Sequence, residues 1–487
     1  MNVLFISSEA DPLVKVGGLG DVGGSLPVAL HALRTENTCY SSLDIRIAIP
    51  YYPKIKNQDI PIHPVASFKI DTTKLPILVQ VYETSLSGVI TYLISGEPID
   101  RTELVYGMDF KSDAEKFVFF SLACLKLPQA LNWPIDILHA NDWHTAVALH
   151  KLKTRKDRPA ELKKTKSILS LHNLPFMGTG SEEALKQYKI RPSTNQDLPR
   201  WGKTLPLPMG LAAADKIIAV SPTYAREILT PQYGCDLQGF LKTREESLMG
   251  ILNGIDTRVW DPSTDSEIPS NFKLETIVNK RHNTTALRKE FSLPLKKNLP
   301  LLVLISRLDQ QKGVDILVEA LHLIKDQPWQ AILLGTGNKI LEQACMDLQT
   351  ALPDKVRTTI AFDARLSHRM YAGADMLMMP SRYEPCGLSQ MIAMRYGCLP
   401  VARATGGLVD SITDSPDPAI ATGVLFEEAT PAACSEAILR TIDTFHDGRM
   451  WRRMQQNAMA QDFSWQNSAI QYYATYQALS TSHMRSE

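Results

Sequence analysis

Short apolar runs alternate with longer amphipathic ones along almost the whole chain. Such alternation predicts buried parallel strands separated by helices, the pattern of α/β domains. In the first half, strands are expected at 3–7 (VLFIS), 45–49 (IRIAI), 77–83, 89–94, 136–140, 167–172 and 216–220. Helical spacing fills 112–127 and 221–229. The stretch GILNGIDTRVWDPSTD (250–265) breaks the rhythm with Asn-Gly, Asp-Pro and Ser-Thr steps and reads as a linker. Alternation resumes with apolar runs at 301–306, 330–335, 375–380 and 399–402, and a helical run at 313–324. The fold expected is therefore α/β, two doubly wound Rossmann-like domains at 1–255 and 256–462. Residues 463–487 follow as a C-terminal helical segment, 190–208 and 262–298 read as loops or short helices, and 34–44 read as irregular.

Composition narrows the function. A chain of 487 residues is too long for one compact core. Lys+Arg and Asp+Glu balance at 52 each, so no global charge favours nucleic acid or a membrane surface as partner. No basic segment precedes an apolar stretch at the N-terminus, and no apolar run approaches the roughly 20 residues of a membrane helix. Seven cysteines without a C-x-x-C pair suit free thiols in a reducing compartment. A cytoplasmic enzyme is expected.

Gly18, Gly20 and Gly23 spell G-x-G-x-x-G ahead of a helix-like run. A dinucleotide fingerprint would follow its strand at once and be answered by an acidic residue ending the next strand. Here the strand ends near Ser7, and IRIAI runs into Pro50, Tyr51 and Tyr52. The loop is not a nicotinamide site. Lys15 before it and Asp21 after it, at an expected helix start, still suggest an anionic, hydroxyl-bearing ligand, against the plainer reading of a packing turn.

Other strand ends carry chemistry too. After 301–306, SRLDQQKG places Arg307 and Lys312 where a doubly wound domain binds ligands, a candidate diphosphate clamp. QAILLGTGN supplies Gly335 and Gly337. In PSRYEPCGLSQ, a loop bearing Glu384 and Cys386 leads through Gly387 to a helix whose first amides, at Leu388 and Ser389, could hold phosphate oxygens. Thr405, Gly406 and Gly407 repeat that device. In the first half HANDWHT and LHNLPFMG put Asp142, His144, His172 and Asn173 at strand carboxyl ends. Each alone could be structural, but their convergence points to function.

Taken in order, KVGGLGDV, HANDWH, LHNL, AVSPTYAREI, GILNGID, SRLDQQKG, SRYEPCGLSQ, TGGLVD and DFSW closely resemble the glycogen/starch synthase family. The resemblance implies a GT-B fold with its active site between two Rossmann-like domains and the last helix returning to the first. It implies retaining transfer of glucose, usually from ADP-glucose, to the non-reducing 4-OH of an α-1,4-glucan, without a cofactor. By the same resemblance Lys15, Gly18, Asp21 and Asn253 bind the donor. Asp142, His172 and Asn173 surround the glucosyl group and acceptor. Arg307 and Lys312 clamp the diphosphate, with Gly335 close by, and Glu384 lies at the transferred glucose. Cys386, Gly387, Leu388 and Ser389 form the phosphate-binding turn. Front-face attack is implied, so Glu384 is assigned to positioning and electrostatics. The chain contains no Asp-x-Asp triplet, and no metal is expected.

Three positions depart from the family pattern. Val16 replaces Thr, Ile392 stands at the second acid of the E-x7-E pair found in other GT-B enzymes, and Pro206 falls where Phe-Leu-Lys is usual. Competing readings are a UDP-glucose-using synthase, a phosphorylase-like or sucrose-synthase-like enzyme, and an inactive glucan-binding protein.

Overall fold

The computed structural model describes residues 1–36, 42–107, 109–296 and 298–481. They form two compact units, Met1–Gly254 with the helix Trp465–Thr481, and Ile255–Ser464.

The first unit is built on a nine-stranded sheet. Its strands are β1 (Asn2–Ile6), β2 (Asp44–Pro50), β3 (His63–Ile70), β4 (Ile77–Leu86), β5 (Val89–Ser95), β6 (Ile137–Asn141), β7 (Lys166–Leu171), β8 (Lys216–Ala219) and β9 (Leu248–Gly250), in the order β3-β4-β5-β2-β1-β6-β7-β8-β9. All pairings are parallel except β3/β4 and β4/β5. Val3 to Ile6 are wholly buried, as a central strand covered on both faces requires. Val3 and Phe5, with Ile45, Ile47 and Ile49 of β2, pack against the Gly18–Glu36 helix and the aromatic side of Trp465–Thr481. That last helix is fixed by polar bonds as well. His139, buried in β6, bonds the Tyr476 hydroxyl through Nδ1 and the Ser170 hydroxyl through Nε2, both at 2.7 Å.

The second unit has one parallel sheet, β10 (Leu301–Ile305), β11 (Gln330–Gly335), β12 (Val356–Ile360), β13 (Met376–Met379), β14 (Leu399–Arg403) and β15 (Val424–Phe426). Its order is β12-β11-β10-β13-β14-β15.

Several expectations need correction. β3 is absent from the sequence reading because it is an exposed edge strand, and its Pro64, register break and Lys69 blunt the edge instead of spelling an apolar run. The 250–265 stretch is less of a linker than its composition suggests. Gly250 ends β9, and residues from Ile255 onward belong to the second unit. There Asp265 accepts the Tyr396 hydroxyl at 2.6 Å and lies 2.7 Å from His368, whose ring stacks on Trp260. Lys280–Glu290 is a full helix inside the segment expected to be loops or short helices. The three fingerprint glycines do not precede the first helix but lie inside Gly18–Glu36. Gly387 stands two residues before its helix, Ser389–Arg395. Of the 34–44 stretch, 37–41 lie outside the described residues.

Two stability predictions follow from His139. Burial pushes its imidazole from 6.5 down to about 3, so it is neutral in the folded protein. A depressed folded value gives stability that is present above pH 6.5 and is lost as pH falls from there toward 3. A His139→Gln variant, which cannot protonate, should lose less stability than the parent between pH 7 and 4.5. The difference should be on the order of a few kcal/mol, read by urea unfolding at each pH. Tyr476→Phe leaves a buried ring nitrogen unpartnered and should cost about 1–3 kcal/mol at pH 7, measured the same way.

Candidate active site

In a doubly wound sheet, ligands bind beyond the strand carboxyl ends where the strand order reverses. In the second unit that reversal lies between β10 and β13. The loop after β10 carries Arg307 to Lys312, and the loop after β13 carries Ser381 to Leu388. Two glycines let loops at this end of the sheet meet the one after β13, Gly313 from the β10 side and Gly406 from the loop after β14. A Cβ on Gly313 (φ +65°) would sit 2.0 Å from the Pro380 carbonyl, and one on Gly406 (φ +48°) would sit 2.0 Å from the Glu384 carbonyl. Only glycine fits there.

The approach brings Lys312 Nζ to 2.9 Å and 2.6 Å from the two Glu384 carboxylate oxygens, and Ser381 Oγ donates to one of them at 2.9 Å. The Glu384 side chain is only 6% exposed and Lys312 only 19%. Arg382 forks onto Asp315 at 2.8 and 2.7 Å, while the buried Arg403 donates to the carbonyl of Arg382. Both fix the backbone leading to Glu384.

The remaining residues expected here are placed as follows. Arg307 is not drawn into the pair; it is 59% exposed and lies 3.0 Å from Asp309. Gly335 ends β11 against the Ser306 carbonyl, where a Cβ would lie 2.0 Å away. Cys386 is buried, and Gly387 (φ +72°) turns the chain into Leu388 and Ser389, whose amides have no carbonyl one turn earlier.

In the first unit the order reverses between β1 and β6. The loop after β1 folds back through an Ala10–Val14 bridge and ends at the Gly18–Glu36 helix. Lys15 Nζ reaches Asp21 at 2.6 Å and Asp11 at 3.6 Å. Burial opposes its charge, but the two carboxylates outweigh burial and hold the ammonium above its usual range. Asp21 is pushed up by burial, against the pull of Lys15. Gly18 begins the helix with no atom within 4 Å of where a Cβ would be.

At the end of β6, Asp142 takes a left-handed conformation (φ +52°) and accepts the amides of His172 at 2.7 Å and Asn173 at 3.4 Å. Burial raises its carboxyl to about 7 despite those bonds. His172 lies with its Nε2 2.9 Å from Asn141 Oδ1. Asn141 gives its own amide to the Ile6 carbonyl at 3.0 Å, so Oδ1 faces His172 and Nε2 carries the proton. Burial pushes His172 down to about 3, leaving a neutral imidazole with Nδ1 as an acceptor. Asn173 Oδ1 is buried without a hydrogen-bond partner among the described residues, as is Asn253 Oδ1. His144 belongs to the core, packed on Phe117 and Tyr106.

Sequence reasoning missed several groups. Ser381 and Asn141 orient Glu384 and His172. Glu9 and Tyr106 hold the Lys15 loop, and only the position of Glu9, just beyond β1, could have signalled it. Phe362, 84% exposed, follows β12 beside the Gly335 loop, where Ala361 donates to the Gly335 carbonyl at 3.1 Å. Among the described residues no group of three or more His, Cys, Asp or Glu side chains is arranged to hold a metal ion. No described helix is long and apolar enough to cross a membrane.

Comparison with known proteins finds relatives along nearly the whole chain. The Starch synthase catalytic domain family matches residues 2–243, and Glycosyl transferases group 1 matches 286–461. A glycogen synthase of Aromatoleum aromaticum is 40% identical over 98% of this chain and 97% of its own. One of Lactiplantibacillus plantarum is 36% identical over 98% and 99%. The catalytic domain of starch synthase IV from Arabidopsis thaliana, solved bound to ADP and acarbose, superposes with a TM-score of 0.88 at 29% identity, covering 98% of this chain and 99% of that one. With relatives of this identity along nearly its full length, the chain belongs to the glycogen/starch synthase family of GT-B glucosyltransferases.

Proposed function

We propose that the enzyme uses ADP-glucose and extends the non-reducing 4-OH of an α-1,4-glucan with retention, by front-face attack. The observation that carries the chemistry is the Lys312–Glu384–Ser381 cluster at the β10/β13 reversal. Both carboxylate oxygens of Glu384 are engaged by Lys312, and Ser381 binds one of them, which suits a fixed negative group beside a developing oxocarbenium better than a free nucleophile. Breaking the glycosyl–phosphate bond builds charge on the departing diphosphate. Lys312 and the amides at Leu388 and Ser389 are suited to stabilise it, because preorganised cations and dipoles need not reorient during the reaction; the exposed Arg307 is read as joining them when the diphosphate binds.

In the first unit, Lys15, Gly18, Asp21 and Asn253 are read as donor-binding. Asp142, His172 and Asn173 are read as facing the glucosyl group and the acceptor. Neutral His172 can accept a hydrogen bond at Nδ1 without adding charge. The ADP in the starch synthase IV structure supports the choice of nucleotide, and exposed Phe362 offers a flat apolar face suited to a base. Cytoplasmic localisation is part of the same reading, supported by six described cysteines, all free.

Release of ADP or UDP with glycogen as acceptor tests the donor. kcat/KM should be higher with ADP-glucose; equal or higher values with UDP-glucose would replace the donor, and no turnover with either would favour an inactive glucan-binding protein. Glu384→Gln should lower kcat by about 10²–10³-fold in a folded protein, the scale of losing one preorganised electrostatic group. Activity should persist in excess EDTA, and loss restored by Mg²⁺ or Mn²⁺ would add a metal to the clamp.

A further inference from the structure

Glu9 is 1% exposed, and its carboxylate accepts three hydrogen bonds. One oxygen, Oε2, accepts the amides of Val16 and, at 3.0 Å, Gly17; the other accepts the Tyr106 hydroxyl. These two amides flank the step from Lys15 into the Gly18–Glu36 helix. The loop is closed around Glu9 from the helix side as well, since a Cβ on Gly23 would lie 2.1 Å from the Glu9 carbonyl. Tyr106 is itself held. It bonds Ser8 Oγ at 2.9 Å, and its segment is pinned by Lys116, a fully buried ammonium. Lys116 Nζ donates to the carbonyls of Leu104 and Val105 at 3.2 and 2.7 Å and to Asp113 at 2.7 Å. Asp113 in turn accepts the Gly107 amide at 2.8 Å.

We infer that Glu9 is a positioning residue for donor binding, the internal anion that shapes the Lys15–Gly18 turn and is itself held by Tyr106. The Lys116–Asp113 pair anchors Tyr106 and so completes the chain. A buried, multiply bonded carboxylate keeps two amides and the preceding ammonium of Lys15 in place before any ligand arrives, and preorganisation of this kind reduces the ordering cost of binding. This assignment rests on the donor role proposed for Lys15.

The test uses the full-length enzyme with Glu9→Gln and Tyr106→Phe, each checked for folding by thermal unfolding. In the unliganded protein, amide hydrogen exchange at Val16 and Gly17 should accelerate at least 10-fold in Glu9→Gln while the Ile6 and Ile137 amides stay unchanged. ADP binding by calorimetry should weaken about 10-fold or more in both variants, with the KM for glycogen within 2-fold of the parent. The double variant Glu9→Gln/Lys15→Gln should bind ADP less weakly than the product of the two single losses predicts, because Glu9 acts through Lys15. Unchanged exchange at Val16 and Gly17 would overturn the assignment whatever the nucleotide. So would parallel losses for donor and acceptor, which would mark Glu9 as only structural. A parent enzyme that fails to bind ADP, with exchange accelerated as expected, would instead overturn the donor reading and leave the positioning role standing.

Discussion

Lys312 and Glu384 are opposite charges taken largely out of water, and neither could be buried at this depth without the other. Removing one partner of such a pair leaves an uncompensated charge, which costs far more than an exposed ion pair contributes. The constraint propagates outward. The pair needs the β10 and β13 loops in contact, which needs Gly313 under Pro380. It needs the Glu384 backbone held, which needs Gly406 and the Arg403 donor. It also needs the strand order to reverse there, since only a reversal opens a space between neighbouring loops. A single electrostatic requirement therefore fixes backbone choices about ninety residues apart in sequence.

The first unit solves its burial problem differently. Its polar groups sit in hydrogen-bonded sets: Lys116 and Asp113 hold the backbone on either side of Tyr106, whose hydroxyl bonds Glu9, and Ile6 is linked through Asn141 to His172. In both sets a buried group has its donor or acceptor role fixed by the next, so protonation and orientation are set before a ligand binds. His139 is satisfied in the same way, but its partners are Ser170 and a tyrosine of the final helix. That makes the C-terminal helix a component of the first unit's core, despite the two hundred residues that separate it from the rest of that unit.

Legibility in the sequence tracked the strength of local signals. The central strands were readable because parallel strands buried on both faces must be continuously apolar. β3, polar and at an edge, carries no such signature. Lys312 and Glu384 were readable as loop charges after strands, but their pairing depends on a strand order that no local pattern encodes. Glu9 and Tyr106 lie nearly a hundred residues apart, and Lys116 looks like an ordinary surface lysine of an amphipathic helix until its three acceptors are seen. The 250–265 stretch misled for a related reason. Asp265 and Trp260 have linker-like neighbours, while their partners, His368 and Tyr396, are more than a hundred residues away.

The glycine-rich opening shows how one motif can be written by two different demands. Of its glycines, Gly23 and Gly24 lie so close to the carbonyls of Glu9 and Asp11 that a Cβ would come within 2.1 and 2.0 Å. Gly20 is tight against Lys15 and the Glu9 carboxylate. A Cβ on Gly17 or Gly18 would meet none of the described residues within 4 Å apart from its chain neighbours and its own helix backbone. The later part of the G-x-G-x-x-G spacing is thus dictated by packing the helix onto the turn after β1, which is why the spacing imitates a dinucleotide fingerprint although the strand ends too early for one. The earlier pair is left without a packing reason to be glycine. A residue that gives up backbone rigidity at a helix start, where alanine would be the better helix former, needs another reason to be there. The donor binding proposed for the Lys15 turn would supply it.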